Sequence, residues 1–236
     1  MKIEVFVLCY NEEIILPFFL QHYCDFANVI IYDNESTDSS TAIAENFGAK
    51  VITYNTNKQI RDDVYLDIKN SCWKESDADW VIVVDADEFI YHKNLVEILK
   101  STPESIIVPQ GYEMISEDIP KFEEKSITSH IKEGIKYDNS SKPCIFSPKK
   151  LKEINFTPGC HSANPVGDIS YNINSGIKLL HYKHINREYV INKHSEYQTR
   201  LSLVNKQNRW GHHYNRSNQE IHRLFDDYLN NSKSVI

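Results

Sequence analysis

Trp80-Val81-Ile82-Val83-Val84 runs directly into Asp85-Ala86-Asp87. The apolar run does not alternate, so it reads as a strand buried on both faces, as in a sheet covered by helices on either side. Two carboxylates two residues apart, where such a strand leaves the core, are expected to project into similar space. Together they would form a dianionic mouth suited to a hard divalent cation. In open α/β sheets, ligands bind outside the carboxyl ends of the strands. This is therefore the place for a phosphate-bearing substrate and its metal.

Working outward, strand and helix patterns alternate as far as residue 108. Lys2 to Leu8, Asn28 to Tyr32, Lys50 to Tyr54 and Ser105 to Val108 read as further strands. Asn11 is placed to cap a first helix, with Glu12-Glu13 in its first turn and Ile14, Ile15, Phe18, Phe19 and Tyr23 on its apolar stripe. Ser36, Thr37 or Asp38 can cap a second helix, which runs to Phe47 and ends at Gly48. Ile60 to Glu75 and Asn94 to Lys100 read as two more. The alternation implies a mostly parallel central sheet flanked by helices, an α/β class with right-handed crossovers.

Past Gly111 the rhythm breaks. Residues 116 to 145 are polar and irregular, and 146 to 185 read as short strands and turns. Arg187 to Lys206 and Gln219 to Leu229 read as helices, and the tail after Asn230 as frayed. The organisation expected is a catalytic domain over 1–185, with a nucleotide-binding half at 1–110 and an acceptor and donor-sugar half at 111–185. A helical extension follows at 186–236.

Bulk properties narrow the function. The 236 residues carry a net charge of −7, which opposes a nucleic-acid binder that works by neutralising phosphates. The five cysteines, Cys9, Cys24, Cys72, Cys144 and Cys160, are odd in number and never CxxC. They read as small hydrophobes in a reducing cytosol rather than disulfides or zinc ligands. The N-terminus enters strand one without a signal-peptide pattern. No window approaches 18 apolar residues, so no transmembrane segment is expected. Cytoplasmic placement follows, with any membrane contact peripheral, at the inner face.

Three strand ends carry groups that a nucleotide needs, and in a parallel sheet they share one rim. Tyr10 offers a ring for a base, and Asn11 and Glu12 follow it. Asp33 can accept from a base N–H or a ribose hydroxyl, beside Asn34. Arg61 could add positive charge. Helix capping explains Asn11 and Asp38 equally well when each is taken alone. There is no G-x-G-x-x-G and no G-x-x-x-x-G-K-[ST], so backbone amides are not the expected phosphate cradle.

Leu8-Cys9-Tyr10-Asn11-Glu12-Glu13, Tyr32-Asp33-Asn34-Glu35-Ser36-Thr37-Asp38, Ala78-Asp79-Trp80 and Val84-Asp85-Ala86-Asp87-Glu88-Phe89 occur in that order. They resemble family 2-type glycosyltransferases, closest to a bacterial subgroup carrying an "ADW…DADEF" segment. The stretches Gly159-Cys160-His161 and Leu179-Leu180-His181-Tyr182-Lys183 look like the same subgroup. The resemblance implies a Rossmann-like nucleotide-diphospho-sugar transferase fold with a DXD motif and a Mn²⁺ or Mg²⁺ site. It further implies a nucleotide-sugar donor, first of all a UDP-sugar, and a glycan or glycolipid acceptor, as in polysaccharide biosynthesis. By position, Tyr10, Glu12 and Asp33 would face the nucleoside. Asp85 would sit by the ribose or metal, and Asp87 would ligate the metal. A C-terminal histidine would complete the site, His181 first and His161 second.

The general base is open among Glu113, Glu88 and the pair Glu117-Asp118, the last lying early, about 30 residues past Asp87. Lys142 and His161, with Tyr112 and Phe146, would shape the pocket for donor sugar and acceptor. Trp210 and the last helices could form a lid or an acceptor platform, or simply pack on the core. The alternatives are a metal-dependent phosphohydrolase or nucleotidyltransferase, and a non-catalytic nucleotide-binding module of the same fold.

Overall fold

A computed structural model describes residues 1–123 and 125–236. The first half follows the alternation read from the sequence: β1 (Ile3–Cys9), α1 (Leu16–Tyr23), β2 (Asn28–Asp33), α2 (Ser40–Asn46), β3 (Lys50–Thr53), α3 (Asp62–Ser71) and β4 (Trp80–Asp85). β1 lies between β2 and β4, β3 flanks β2, and all three pairings are parallel. β4 is buried on both faces as expected. Ile82 and Val84 join a core that includes Phe19 and Tyr23 of α1, while Val81 and Val83 join one with Trp73 and Phe146.

The chain continues through β5 (Glu88–Tyr91), α4 (Leu95–Ser101), β6 (Ile106–Ile107), β7 (Gln110–Ile115), α5 (Ile127–His130), β8 (Glu133–Lys136), β9 (Ile145–Phe146), β10 (Leu151–Glu153), β11 (Val166–Gly167), β12 (Tyr171–Asn172) and β13 (Lys178–His184). It ends in α6 (Arg187–Arg200), α7 (Leu203–Asn208), α8 (Asn218–Asn231) and β14 (Lys233–Ser234). The main sheet has the order β12-β6-β9-β4-β1-β2-β3. β9 is antiparallel to both β4 and β6, so the strand expected over 105–108 is not a direct neighbour of β4.

A second sheet, ordered β14-β8-β7-β13-β5, was not foreseen. β13 lies between β7 and the edge strand β5, parallel to the first and antiparallel to the second. Only Ala86-Asp87 separates β4 of one sheet from β5 of the other. The acidic motif is thus the corner where the two sheets meet.

Three local expectations need correction. Asn11 caps no helix: it sits at φ 52°, and α1 starts only at Leu16, near Pro17, with no side-chain cap. The residues between Arg187 and Lys206 form two helices broken at Leu201-Ser202, where Ser202 caps α7 through the Asn205 N–H. The tail is not frayed, since Lys233–Ser234 pairs with β8.

Candidate active site

At the motif, the two aspartates diverge. In a continuing strand they would share a face, but the chain turns at Ala86. Asp85 faces two buried lysines: its Oδ1 is 2.6 Å from Lys69 Nζ and its Oδ2 is 3.2 Å from Lys142 Nζ. Burial raises its pKa, but Lys69 and Lys142 outweigh that and hold it well below the usual carboxylate range. Lys142 also pairs with Glu88, which is 1% exposed and accepts the Asp85 N–H at 3.0 Å. Lys142 is therefore not a free sugar-pocket residue. It neutralises the buried Glu88 together with the half-exposed Asp85, and Glu88 has no open face for a base.

Asp87 turns the other way, onto β13. Its Oδ2 lies 3.2 Å from His181 Nε2, while His181 Nδ1 lies 2.9 Å from Glu113 Oε1. Glu113, on β7 directly opposite His181, is 4% exposed and also accepts from Ser140 Oγ at 2.6 Å. Its Oε2 faces His184 Nε2 at 3.5 Å. Burial disfavours charge on His181, but Glu113 and Asp87 prevail and lift its pKa well above 6.5. Glu113 itself is pushed down, because His181, His184 and the Ser140 hydroxyl outweigh burial. His184 stays neutral, with burial lowering it to about 3. Glu113 is buried, with Oε1 held by His181 and Ser140 and Oε2 covered beside His184, so it orients His181 and is not placed as a base.

Of the two histidines weighed for the metal, His181 meets Asp87. His161 stands on the exposed side, with Nδ1 2.5 Å from the Asn139 carbonyl oxygen. Among the described residues no group of three His, Cys, Asp or Glu side chains forms a ready cation cage. Asp87 and His181 fit a cation all the same. One carboxylate and an imidazole whose other nitrogen is held by a carboxylate make a partial set, of the kind that substrate phosphates and waters complete.

The nucleoside candidates of strand one meet the C-terminal helices. Tyr10 has the Arg200 guanidinium 3.4 Å above its ring centroid. Glu12 pairs with Lys193 at 2.9 Å, and that ammonium also donates to the Asn11 carbonyl at 2.9 Å. Burial pushes Glu12 up to about 7, partly offset by Lys193. α6 is thus stitched across the rim of the main sheet. Lys193 and Arg200 lie seven apart, two helical turns on one face, and that spacing is the sequence signal that could have found them.

The remaining candidates are bracing groups. Asp33, 2% exposed, accepts from the backbone N–H and hydroxyl of Ser36 at 3.0 and 2.5 Å. Asn34 is fully buried, and its side chain holds Thr56. The Asn11 amide accepts from Thr37 N–H at 2.7 Å, and Asp38 accepts from Glu13 N–H at 3.0 Å. Arg61 makes a two-point contact with Asp63 at 2.9 and 2.6 Å rather than facing the rim. Lys69, unremarked in the sequence, has no motif to announce it: a lysine on a mostly polar helix is ordinarily solvated.

The chain matches the family model described as "Glycosyl transferase family 2" over residues 4–152. An uncharacterized glycosyltransferase of Rickettsia bellii is 28% identical over 153 residues, which are 62% of this chain and 43% of that protein. A crystal structure of S. aureus TarS superposes with a TM-score of 0.50 at 20% identity, covering 82% of this chain and 38% of that one. That likeness shows the fold, a mixed α/β nucleotide-diphospho-sugar transferase architecture. A shorter form of TarS, solved with UDP-GlcNAc, is 17% identical over 83% of this chain and 66% of its own, with a TM-score of 0.48. The chain spans less than half the length of the first relatives it matches. Among the described residues no helix is long and apolar enough to cross a membrane. With the family model matched across well over half its residues, from β1 through β10, the chain belongs to glycosyl transferase family 2.

Proposed function

We propose that this protein is a metal-dependent glycosyltransferase that moves a sugar from a nucleotide-diphospho-sugar, a UDP-sugar first of all, to a hydroxyl of a glycan or glycolipid acceptor. The observation that carries this reading is the meeting of Asp87 and His181, 3.2 Å apart, at the carboxyl end of β4 in a chain of this family.

Asp87 and His181 would hold Mn²⁺ or Mg²⁺, which supplies positive charge where the departing nucleoside diphosphate becomes more anionic. Glu113 fixes the orientation of His181 by accepting at Nδ1. Lys69 and Lys142 keep Asp85 ionised and pinned, so the first aspartate stays out of the donor set and walls the cleft beside it. Tyr10 and Arg200 present a ring and a planar cation at the rim, the surfaces on which a base stacks. Glu88 and Glu113 are buried and paired, so neither is free to form a covalent glycosyl intermediate. That pairing favours a single displacement, with inversion at the anomeric carbon, over a double one through either glutamate.

The test is incubation of the protein with a panel of nucleotide sugars and glycan acceptors, with Mn²⁺ or with chelator, scoring nucleoside diphosphate release. Metal-dependent release is expected with at least one donor, and Asp87→Asn should abolish it with the melting temperature kept. Release of nucleoside monophosphate, or full activity of Asp87→Asn, would refute the reading.

A further inference from the structure

We propose that Ser140 and His161 are positioning residues for His181. The Gly159-Cys160-His161 stretch, which the transferase reading leaves unused, clamps the turn whose hydroxyl holds Glu113 against that histidine. The proposal rests on the metal reading above and supplies the groups that keep its imidazole in place.

The clamp starts from a strained loop. Gly159 has φ 79° and Cys160 φ 58°, two successive residues in the left-handed region. A cysteine is disfavoured there and persists only where its surroundings hold it. Cys160 is buried in the core that contains Trp73 and Phe146, and its N–H donates to the Thr157 carbonyl at 2.7 Å. A Cβ on Gly159 would come within 2.8 Å of His161 Cδ2 and 3.0 Å of Nε2, so glycine leaves room for the ring. That ring places Nδ1 2.5 Å from the Asn139 carbonyl oxygen. A carbonyl only accepts, so Nδ1 carries the proton.

Asn139 belongs to a short 3₁₀ turn, Asp138–Ser140, and is followed in it by Ser140. β7 holds the turn from the other side. Tyr137 N–H donates to the Gly111 carbonyl at 3.0 Å, and Gly111 N–H donates to Ser141 Oγ at 2.9 Å. Between these two grips Ser140 is buried, and its Oγ donates to Glu113 Oε1 at 2.6 Å. The same oxygen faces His181 Nδ1 at 2.9 Å.

Glu113 has few other restraints. Its Oε2 has only His184 Nε2, at a loose 3.5 Å. Without the Ser140 hydroxyl, the bond to His181 would be the carboxylate's one short contact, and the pair could swing together. One path therefore runs from His161 through the Asn139-Ser140 backbone to Glu113 and on to His181. Outer partners of this kind fix the orientation of a ligating imidazole.

The experiment is Mn²⁺ binding by the full chain, with and without UDP, followed by the paramagnetic resonance of the free ion. The proteins are wild type, Ser140→Ala, His161→Ala, His161→Asn and the Ser140→Ala/His161→Ala double variant, with thermal melts to show each folded at the assay temperature. Mn²⁺ affinity should fall about tenfold in Ser140→Ala and about threefold in His161→Ala. His161→Asn keeps an N–H near the position of Nδ1 and should restore most of the loss. The double variant should fall no further than Ser140→Ala, because both changes break one path. A merely structural role would lower the melting temperature and leave Mn²⁺ affinity of the folded protein unchanged. That result in Ser140→Ala, or additive losses in the double variant, would overturn the proposal while the metal reading stands. A wild type that binds no Mn²⁺ in either condition would bring down both.

Discussion

Lys142→Met is the sharpest probe of how the sheet corner is held together. The ammonium sits 5% exposed between Glu88 and Asp85, and the methionine keeps most of the stem's packing while removing the charge. Asp85 retains Lys69 at 2.6 Å and a 42% accessible side chain, so little of the cost falls there. Glu88 retains only the Asp85 N–H. Breaking a buried pair by removing one partner costs about 3–5 kcal/mol, because a charge is left uncompensated. We expect about 3 kcal/mol, read from urea unfolding followed by circular dichroism, and a melting point lower by roughly 6–12 °C for a chain of this size. Adding Glu88→Gln should recover more than half of the loss, since glutamine still accepts from Asp85 N–H but carries no charge. A loss under about 1 kcal/mol in Lys142→Met, or no recovery in the double variant, would show that the corner does not depend on this pairing.

Glu113→Gln keeps the shape and loses the charge that faces His181; Mn²⁺-dependent nucleoside diphosphate release should drop about 10–100-fold in protein still folded at the assay temperature, and unchanged turnover would remove Glu113 from the site. In chelator, His181 is held above its ordinary 6.5, so the stability it contributes is complete below that pH and is lost as pH rises through the folded value. Melting temperatures from pH 6 to pH 9 should therefore fall in wild type and fall less in His181→Gln; parallel curves would contradict the ion triad. Gly111→Ala would drive a methyl into the Ser140 carbonyl and to 2.6 Å from Ser141 N, against backbone that cannot step aside. It should cost about 2 kcal/mol or more in urea unfolding and loosen the Ser140 hydrogen bond to Glu113, whereas a neutral substitution would mean that this turn is plastic.

The first half of the chain was legible because its signals are local. The unbroken Trp80–Val84 run, the strand lengths and Gly48 at φ +73° each carry their meaning within a few residues. His181 could be singled out beside Asp87, 94 positions away, only through the family resemblance. The second sheet was not legible, because its strands are joined across long separations: β7 to β13 brings Glu113 to His181 across 68 positions. Local reading also misplaced the motif's geometry. It assumed that a strand continues through Asp85-Ala86-Asp87, whereas a turn at Ala86 sends the carboxylates apart. Lys142 shows the same limit from the other side. The sequence puts Lys142 in the sugar pocket, and only the fold shows that it closes the charge of Asp85 and Glu88.

On the proposed metal-dependent reading, that divergence decides where the cation would sit. Asp85 and Glu88 face Lys69 and Lys142, two carboxylates against two ammoniums, so this side of the corner is electrically closed. Asp87 and Glu113 share a single histidine, and Lys183 lies near both without bonding to either, so no ammonium is seated on Asp87. A divalent ion entering the Asp85 side would have to displace a buried ammonium held at 2.6 Å, while on the Asp87 side it meets a longer contact, 3.2 Å to an imidazole, and no ammonium in contact. The two aspartates of one short motif thus do separate work: the first is pinned by two ammoniums and fixes the corner, and the second meets only a histidine, which is the side the proposed metal reading needs.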